Sequence, residues 1–316
     1  MSPRWACSIV AAGLTACQAF GETASRAERR DDTEQGTDGG RGPDAGEVDG
    51  GGACDRTKPF GAPRLVSGLD TNFTEGGGSL SADGLLLLYH ANTTTGDDTR
   101  RIFVAERTST TAPFGPGRPI TPVQGMTTML DPHLLPEGTL LFTTAGQDPT
   151  LHIAHATLTS DLKLENSSSF AALGTSRSSI QAYPSKSRLY FASDRGEDGM
   201  HIYEAKSEGG VELASPVRIG ELAGPGWDWR PVATPDDLTL YFARSPSSDV
   251  SGMDIYVARR ASPNDPFGAP QLVAELSAPG VFDHPTWVSA DECVIYFESL
   301  RRTTAGGAVW MAERPR

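Results

Sequence analysis

Acidic, aromatic and imidazole side chains recur just ahead of several short apolar runs in this chain. Carboxylates and imidazoles can hydrogen-bond to a ligand or exchange protons with it, and Trp rings offer large flat surfaces for stacking. The candidate ligand-binding residues are Glu75, Asp131, His133, Trp227, Asp228, Trp229, Arg230, Phe282, Asp283 and His284.

These candidate residues could either bind a ligand without catalysis or hydrolyse a glycoside. Glycosidases place two carboxylates on either side of the scissile bond. The acids that could supply such a pair are Glu75, Asp131, Asp228 and Asp283. No motif separates them from structural acids, and Asp228 and Asp283 occupy equivalent repeat positions, which also suits a structural hydrogen bond to a neighbouring blade. Trp227 or Trp229 could likewise have a structural role and pack between two repeats.

Signatures of other chemistries are missing from the sequence. It has no Gly-rich phosphate loop, nucleophile elbow or dinucleotide fingerprint, so we expect no cofactor. His133 and His284 lack the companion ligands and spacing of zinc sites, so we expect no metal. The net charge of −13 argues against a nucleic acid partner, because phosphate binding needs a basic face.

The candidate residues belong to a unit that repeats about every 50 residues. Each unit has a turn, an aromatic strand, a polar loop and a second strand ending in Ala. The aromatic strands are Leu85–Tyr89, Thr139–Phe142, Arg188–Phe191, Thr239–Phe242 and Val294–Phe297, and the second strands end at Ala105, Ala154, Ala205, Ala258 and Ala312. Two landmarks with one period indicate a repeat architecture, and this period is in the range of β-propellers.

A copied heptapeptide indicates how the ring closes. Phe60–Val66 (FGAPRLV) recurs as Phe267–Val273 (FGAPQLV) with one position changed. Outer strands of the first four units are predicted at Phe114–Ile120, Leu162–Leu164, Ala214–Ile219 and Phe267–Val273. The fifth unit ends without one, so Phe60–Val66 must supply it. We predict an all-β, five-bladed β-propeller over residues 59–316, since a sixth blade would need strands where the sequence shows none.

Three patterns within the repeats are shared with a known family. Ser81-Ala82-Asp83-Gly84 stands before a run of Leu, Leu240-Tyr241-Phe242 is followed by Asp254–Ala258, and Ala192–Arg195 precedes Ile202-Tyr203. These motifs resemble the WD-like repeat of TolB-type propeller proteins over roughly residues 60–316. The resemblance implies a propeller that binds a partner.

The N-terminal residues have the features of an exported lipoprotein. Arg4 and a short apolar stretch are followed by Leu14–Cys17 (LTAC), which resembles a bacterial lipobox. We predict a signal peptide at 1–16 and lipid attachment at Cys17; the alternative is an ordinary signal with a chance cysteine. Residues 17–58 are acidic and Gly-rich, and we expect a disordered tether. Gln18 favours the outer membrane.

Two cysteines remain after Cys7 leaves with the signal and Cys17 is acylated. Cys293 begins the second strand of blade 5, and Cys54 stands shortly before the closing strand. The second and fourth strands of an antiparallel blade run parallel, so their starts lie at the same end. We predict a Cys54–Cys293 disulfide in an oxidising compartment, with two separate thiols as the alternative.

These features predict a monomeric, lipid-anchored, non-catalytic propeller facing the periplasm or cell surface. It would contact the membrane only through its lipid and bind an envelope protein or glycan through its loop face. The alternative function is a glycoside-active enzyme that uses carboxylates at the channel mouth.

Replacement of the proposed lipidation residue tests the anchoring. In the Cys17→Ala protein no acyl chain can be attached, so we expect the protein to move from the membrane pellet to the soluble fraction on cell fractionation. Retention in the membranes would contradict the lipobox interpretation, and a Cys7→Ala protein serves as the matched control.

Overall fold

The computed structural model describes residues 54–69, 74–92, 99–126, 128–145, 150–196, 198–208, 212–224, 226–245, 252–301 and 306–316. The predicted signal peptide, Cys17 and most of the predicted tether lie outside the described residues. Within these ranges no helix has both the length and the apolar character needed to cross a bilayer.

The described residues form five antiparallel sheets, the blades of a propeller, in which each inner strand lines a central channel. The closing strand is β1 (Arg64–Leu65), and blades 1 and 2 are β2 (Glu75–Leu80), β3 (Leu86–Asn92), β4 (Arg100–Glu106), β5 (Arg118–Pro119), β6 (Thr128–Leu134), β7 (Thr139–Ala145), β8 (His152–Leu158) and β9 (Leu164–Ser169). Blades 3 to 5 are β10 (Ser179–Pro184), β11 (Arg188–Ser193), β12 (His201–Glu208), β13 (Glu212–Leu213), β14 (Val217–Arg218), β15 (Asp228–Ala233), β16 (Thr239–Arg244), β17 (Asp254–Arg259), β18 (Gln271–Leu272), β19 (Asp283–Val288), β20 (Val294–Ser299) and β21 (Ala308–Glu313). The prediction of an all-β, five-bladed propeller is confirmed.

The N-terminal strand closes the ring as predicted. Strand β1 pairs with β21 through Arg64↔Met311 and Leu65↔Trp310, and it is the outer strand of blade 5. Phe60 is buried, and the Arg314 guanidinium lies 3.9 Å from its ring centroid. The copied heptapeptide therefore marks an anchor for the outer strand.

The same Phe–Arg packing recurs in other blades. Arg107 lies 4.5 Å from the ring centroid of Phe114, and Arg260 lies 4.2 Å from that of Phe267. Each arginine also donates from Nε to a carbonyl of its own blade's first turn. Because cation–π contact and hydrogen bonding hold the same guanidinium, this pair joins the outer strand to the blade.

A disulfide joins Cys54 to Cys293, as the sequence predicted. Beside it the Asp55 N–H donates to the carbonyl of Pro315 at 2.9 Å, and the side chains of Arg56 and Glu292 form an ion pair. The chain ahead of the closing strand is thus bound covalently and by polar contacts to blade 5.

The outer strands differ from the sequence prediction in every blade. Those of blades 1, 3, 4 and 5 include only two residues of each predicted segment, namely β5, β14, β18 and β1. The outer strand of blade 2 is Leu164–Ser169 rather than Leu162–Leu164, because Leu162 has a positive φ of 58° and belongs to the hairpin turn. Blade 3 has an additional short strand, β13, which pairs with β12 ahead of β14. Polar residues in these segments carry no alternating apolar signal, so their limits were not readable from sequence.

The aromatic second strands form the core between blades. Their largest fully buried side chains are Tyr190, Tyr241, Tyr296, Phe142, Phe191, Phe242 and Phe297. The hydroxyl of Tyr190 donates to Asp237 at 2.9 Å, and that of Tyr241 donates to Glu292 at 2.8 Å. Each of these acids stands in the first turn of the next blade, so buried hydrogen bonds connect neighbouring blades.

Reduction of the disulfide tests how much it contributes to closure. Cross-links of this kind contribute about 2–4 kcal/mol. We expect a reductant to lower the free energy of unfolding by that amount, measured by urea denaturation. The Cys54→Ser, Cys293→Ser double variant should match the reduced protein and be insensitive to reductant. Equal free energies of unfolding for the oxidised and reduced proteins would contradict a stabilising role of the disulfide.

Candidate functional site

Every inner strand has an irregular pairing register halfway along its length. At this point Gly77, Asp131, Gln181 and Arg230 adopt positive φ values of 64°, 50°, 60° and 50°. A non-glycine residue in this region costs roughly 1 kcal/mol or more, so three of these four residues are held in a strained conformation. Strain repeated at one level of the channel is typical of functional sites.

Side chains of the preceding blade hold these strained residues. The N–H of Asp131 donates to His90 Nδ1 at 3.2 Å, and the N–H of Gln181 donates to Thr143 Oγ1 at 2.9 Å. The N–H of Arg230 donates to Gln181 Oε1 at 2.9 Å. The irregular backbone is therefore fixed by tertiary contacts around the ring.

Arg230 bridges two carboxylates across the channel. Its Nη1 lies 2.6 Å from Asp131 Oδ1 of blade 2, and its Nη2 lies 3.0 Å from Glu298 Oε2 of blade 5. All three side chains are at most 13% exposed. A cavity of about 30 Å³ remains beside them, which is room for about two water molecules. A sugar ring cannot pass this level.

Burial controls protonation near the bridge. It raises the pKa of the Asp131 carboxyl, and the Arg230 guanidinium opposes part of that shift. Burial also lowers the pKa of His90 and His284 well below the usual value, so both imidazoles are neutral at pH 7. The neutral rings can each donate from one nitrogen and accept at the other.

Among the described residues, five side-chain atoms on the adjoining inner strands of blades 4 and 5 are buried without a hydrogen-bond partner. They are Trp229 Nε1, Arg230 Nε, Asp283 Oδ1, His284 Nδ1 and Thr286 Oγ1. Buried polar groups in native proteins are nearly always paired with protein groups, ordered water or a ligand, so each of these atoms calls for a partner of one of these kinds. This group combines fixed donors with groups that can also accept.

Two tryptophans form a rigid aromatic surface next to these atoms. The ring centroids of Trp227 and Trp229 are 6.2 Å apart, and both rings pack against the buried Ile180 and Met200. Trp227 lies directly over Gly199, where an added Cβ would be 2.1 Å from its Nε1. Both rings are partly exposed. The glycine thus makes room for a ring that is held in one orientation.

Three of the predicted acids are buried, and two of them pair with an arginine of their own blade. Glu75, Asp228 and Asp283 are at most 1% exposed. Asp228 is 2.7 Å from Arg244 Nε, and Asp283 is 3.1 Å from an Arg301 nitrogen. This placement favours a structural role for Asp228 and Asp283, but the arginine that each acid pairs with lies in its own blade and not in the neighbouring blade expected from the sequence. Their proposed ligand-binding role remains a prediction from the sequence.

The remaining predicted residues lie along the channel. His133 contacts the ring of Tyr183 at 4.7 Å, and its Nδ1 is 3.2 Å from Ser79 Oγ. Burial lowers the pKa of His133 to about 4, so it is too weak a base to activate this serine at neutral pH. Phe282 packs edge-on against His284, whose Nε2 is 3.0 Å from Met253 Sδ.

The structure adds three residues that sequence reasoning missed, namely Gln181, Thr286 and Glu298. Glu298 occupies the second-strand position that holds a neutral side chain in the other blades: His90, Thr143, Ala192 and Ala243. An acid at that position of the aligned repeats was a readable signal. No group of three or more His, Cys, Asp or Glu in the described ranges is placed to hold a metal ion.

Comparison with known proteins identifies the fold. No protein-family model and no curated protein match the sequence. A thermostable family-43 glycoside hydrolase superposes with a TM-score of 0.55 at 14% identity, covering 79% of this chain and 91% of the other. A Bacillus subtilis arabinanase gives 0.53 at 10%, covering 79% and 97%.

A protein from Agrobacterium tumefaciens described as a putative TolB gives a TM-score of 0.43 at 12% identity over 78% of this chain and 92% of the other. Identities of 10–14% show the propeller fold alone, and that fold is supported by the glycoside hydrolase and the arabinanase, whose TM-scores are above 0.5. The TolB-type resemblance therefore remains a prediction from the repeat motifs.

The buried imidazole of His133 predicts an acid-sensitive fold. Its pKa is about 4 in the folded chain and near 6.5 when unfolded, so its effect on stability is absent above pH 6.5. As the pH falls towards 4, only the unfolded chain takes up this proton, and stability falls by about 3 kcal/mol in total.

Urea denaturation at several pH values measures this effect. In the His133→Asn protein we expect the decrease in the free energy of unfolding between pH 6 and 4.5 to be smaller by about 1.4 kcal/mol per pH unit. His152→Asn, at a partly exposed site on β8, is the matched control and should keep the wild-type slope. Equal slopes in all three proteins would contradict the prediction.

Proposed function

We propose that this chain is an exported, lipid-anchored propeller that binds a cell-envelope glycan at its channel mouth. The observation that carries the proposal is the group of unpartnered polar atoms on β15 and β19, beside a fixed aromatic surface. Each hydroxyl of a glycan can donate and accept, and the apolar face of a sugar ring can stack on an indole.

The chemistry of the mouth suits a neutral ligand. The single positive charge of Arg230 offsets one of the two negative charges of Asp131 and Glu298. The buried imidazoles of His90 and His284 are uncharged. A strongly charged ligand would meet a partly balanced set of charges rather than a field of one sign. Trp229 Nε1 and Arg230 Nε donate, while His284 Nδ1 and Thr286 Oγ1 can accept.

Glycoside hydrolysis is the second candidate. Asp131 and Glu298 are two carboxylates that contact one guanidinium, and burial raises the pKa of Asp131 as a general acid requires. The glycoside hydrolase and arabinanase with the same fold also support a carbohydrate ligand. The Arg230 bridge weighs against catalysis, because it holds both carboxylates away from a glycosidic oxygen.

A binding experiment tests the proposal. Arabinan, xylan, galactan and soluble peptidoglycan fragments are titrated by calorimetry, and we expect at least one to bind. Trp229→Phe keeps the ring and removes only the N–H, so affinity for that glycan should fall about five- to ten-fold. Trp310→Phe is the matched control, since its Nε1 is also buried and unpartnered but lies on β21.

Release of reducing ends separates the two candidates. Under glycan binding alone, the wild-type protein releases none above background. Turnover that falls at least 100-fold in both Asp131→Asn and Glu298→Gln, while both remain folded, would establish hydrolysis instead. If no glycan binds, or if Trp310→Phe weakens binding as much as Trp229→Phe, the proposed site is wrong.

A further inference from the structure

A second polar group lies on blade 3, beside the ring of Trp227. The imidazole of His201, at the start of β12, is only 5% exposed, and neither of its nitrogens has a hydrogen-bond partner among the described residues. Its Nε2 is 3.4 Å from Asp198 Oδ1, which is a close contact without hydrogen-bond geometry. Because buried imidazole nitrogens need partners, this position calls for a ligand or an ordered water.

The carboxylate of Asp198 is accessible to a ligand. It accepts from Arg218 Nη1 at 2.7 Å, and the side chains of Asp198 and Arg218 are 53% and 32% exposed. The hydrogen bond from Arg218 lowers the pKa of Asp198, so the carboxylate is charged at neutral pH and can only accept. The guanidinium beside it can only donate, and a sugar hydroxyl can pair with either. We call His201, Asp198 and Arg218 the outer group, and the unpartnered atoms on β15 and β19 the inner group.

The loop ahead of β12 joins the outer group to the aromatic surface. Gly199 lies in this loop, and an added Cβ there would be 2.1 Å from Trp227 Nε1. The N–H of Asp228 donates to the carbonyl of Met200 at 2.9 Å, so the residue after Trp227 is bonded to the residue before His201. The outer group therefore borders one indole of the tryptophan pair, while the inner group includes a nitrogen of the other.

The two indoles of the pair are inclined to each other. The ring centroids of Trp227 and Trp229 are 6.2 Å apart, and the ring planes form an angle of 50°. The apolar face of a sugar ring is roughly flat, so one sugar can lie parallel to only one of these indoles. Stacking on both indoles therefore takes two sugar rings, and the short distance between the indoles requires these rings to be neighbours.

We propose that the inner and outer groups are two adjoining sugar sites and that the ligand is a glycan chain of at least two units. One ring lies beside Trp229 at the inner group. The next ring lies on Trp227, with its hydroxyls bonded to the outer group. The inference rests on the proposed glycan binding and deepens it, because it gives the minimum length of the ligand and the residues of the second site.

Sugars of defined length test the inference. Arabinose, xylose, galactose and N-acetylglucosamine are compared with their oligosaccharides of two to four units by calorimetry, and the single units are measured by competition. We expect the two-unit form of at least one sugar to bind about ten-fold more tightly than its single unit, because only the longer form reaches the outer group.

Two variants separate the outer site from the inner one. Asp198→Asn and Trp227→Ala should each weaken binding of the two-unit sugar about five- to ten-fold and leave the single unit within about two-fold, which also shows that the inner site remains folded. Glu106→Gln is the matched control and should bind both forms like the wild type. Glu106 is exposed to a similar extent and pairs with Arg118 of an outer strand, as Asp198 pairs with Arg218, but it lies at the end of β4 away from the mouth.

The possible failures of the second site and of the proposed function are distinct. Equal affinities for the one-unit and two-unit forms would overturn the second site and leave glycan binding standing, with the outer group paired by water only. The same holds if both variants leave the two-unit affinity unchanged, weaken both forms equally, or do no more than Glu106→Gln. If no sugar of any length binds, the proposed function fails and this inference fails with it.

Discussion

Closure of the ring is the constraint on which the rest of this structure depends. Five blades that each bury aromatic side chains against the next leave two unpaired edges unless the last blade is completed, and open sheet edges promote aggregation. Strand β1 completes blade 5 from the other end of the chain, although its ladder has only two residue pairs. Phe60 beneath Arg314 and the Cys54–Cys293 bond stabilise this short contact.

The channel depends on a second constraint, which is the cost of burying charge. Arg230 is nearly buried and therefore needs partners, and it finds Asp131 and Glu298 on blades 2 and 5. A pair of this kind adds little net stability, because desolvation opposes the attraction. What it adds is position, since the guanidinium, held through Gln181 and its own strained backbone, fixes two carboxylates at one level of the channel. Candidate ligand groups are thereby set on rigid strands.

The repeated positions in the sequence predicted the architecture correctly, but they did not show which side chains meet in the channel. Asp228 and Asp283 were readable as equivalent acids, and their equivalence reflects a shared structural contact with an arginine of the same blade. Glu298 departs from its repeat and lies at the bridge instead. A residue type that recurs at the same position of several repeats usually makes a structural contact common to those repeats. A residue that differs from its equivalents can make a contact that occurs at one place only. The three residues of the bridge are thus contributed by blades 2, 4 and 5 and not by an equivalent position in every repeat.

The sequence by itself determined the all-β class, the five blades, the closing strand and the disulfide, because these follow from a period of about 50 residues and from the order of strands along the chain. Tertiary structure alone decided which side chains meet in the channel. Asp131 and Arg230 are 99 residues apart, and their contact depends on bulges that reverse the alternation expected along each inner strand. Those bulges are held by side chains of the preceding blade, so no local pattern encodes them. For the same reason, only the tertiary structure shows where the side chains of Asp228, Trp229 and Glu298 point.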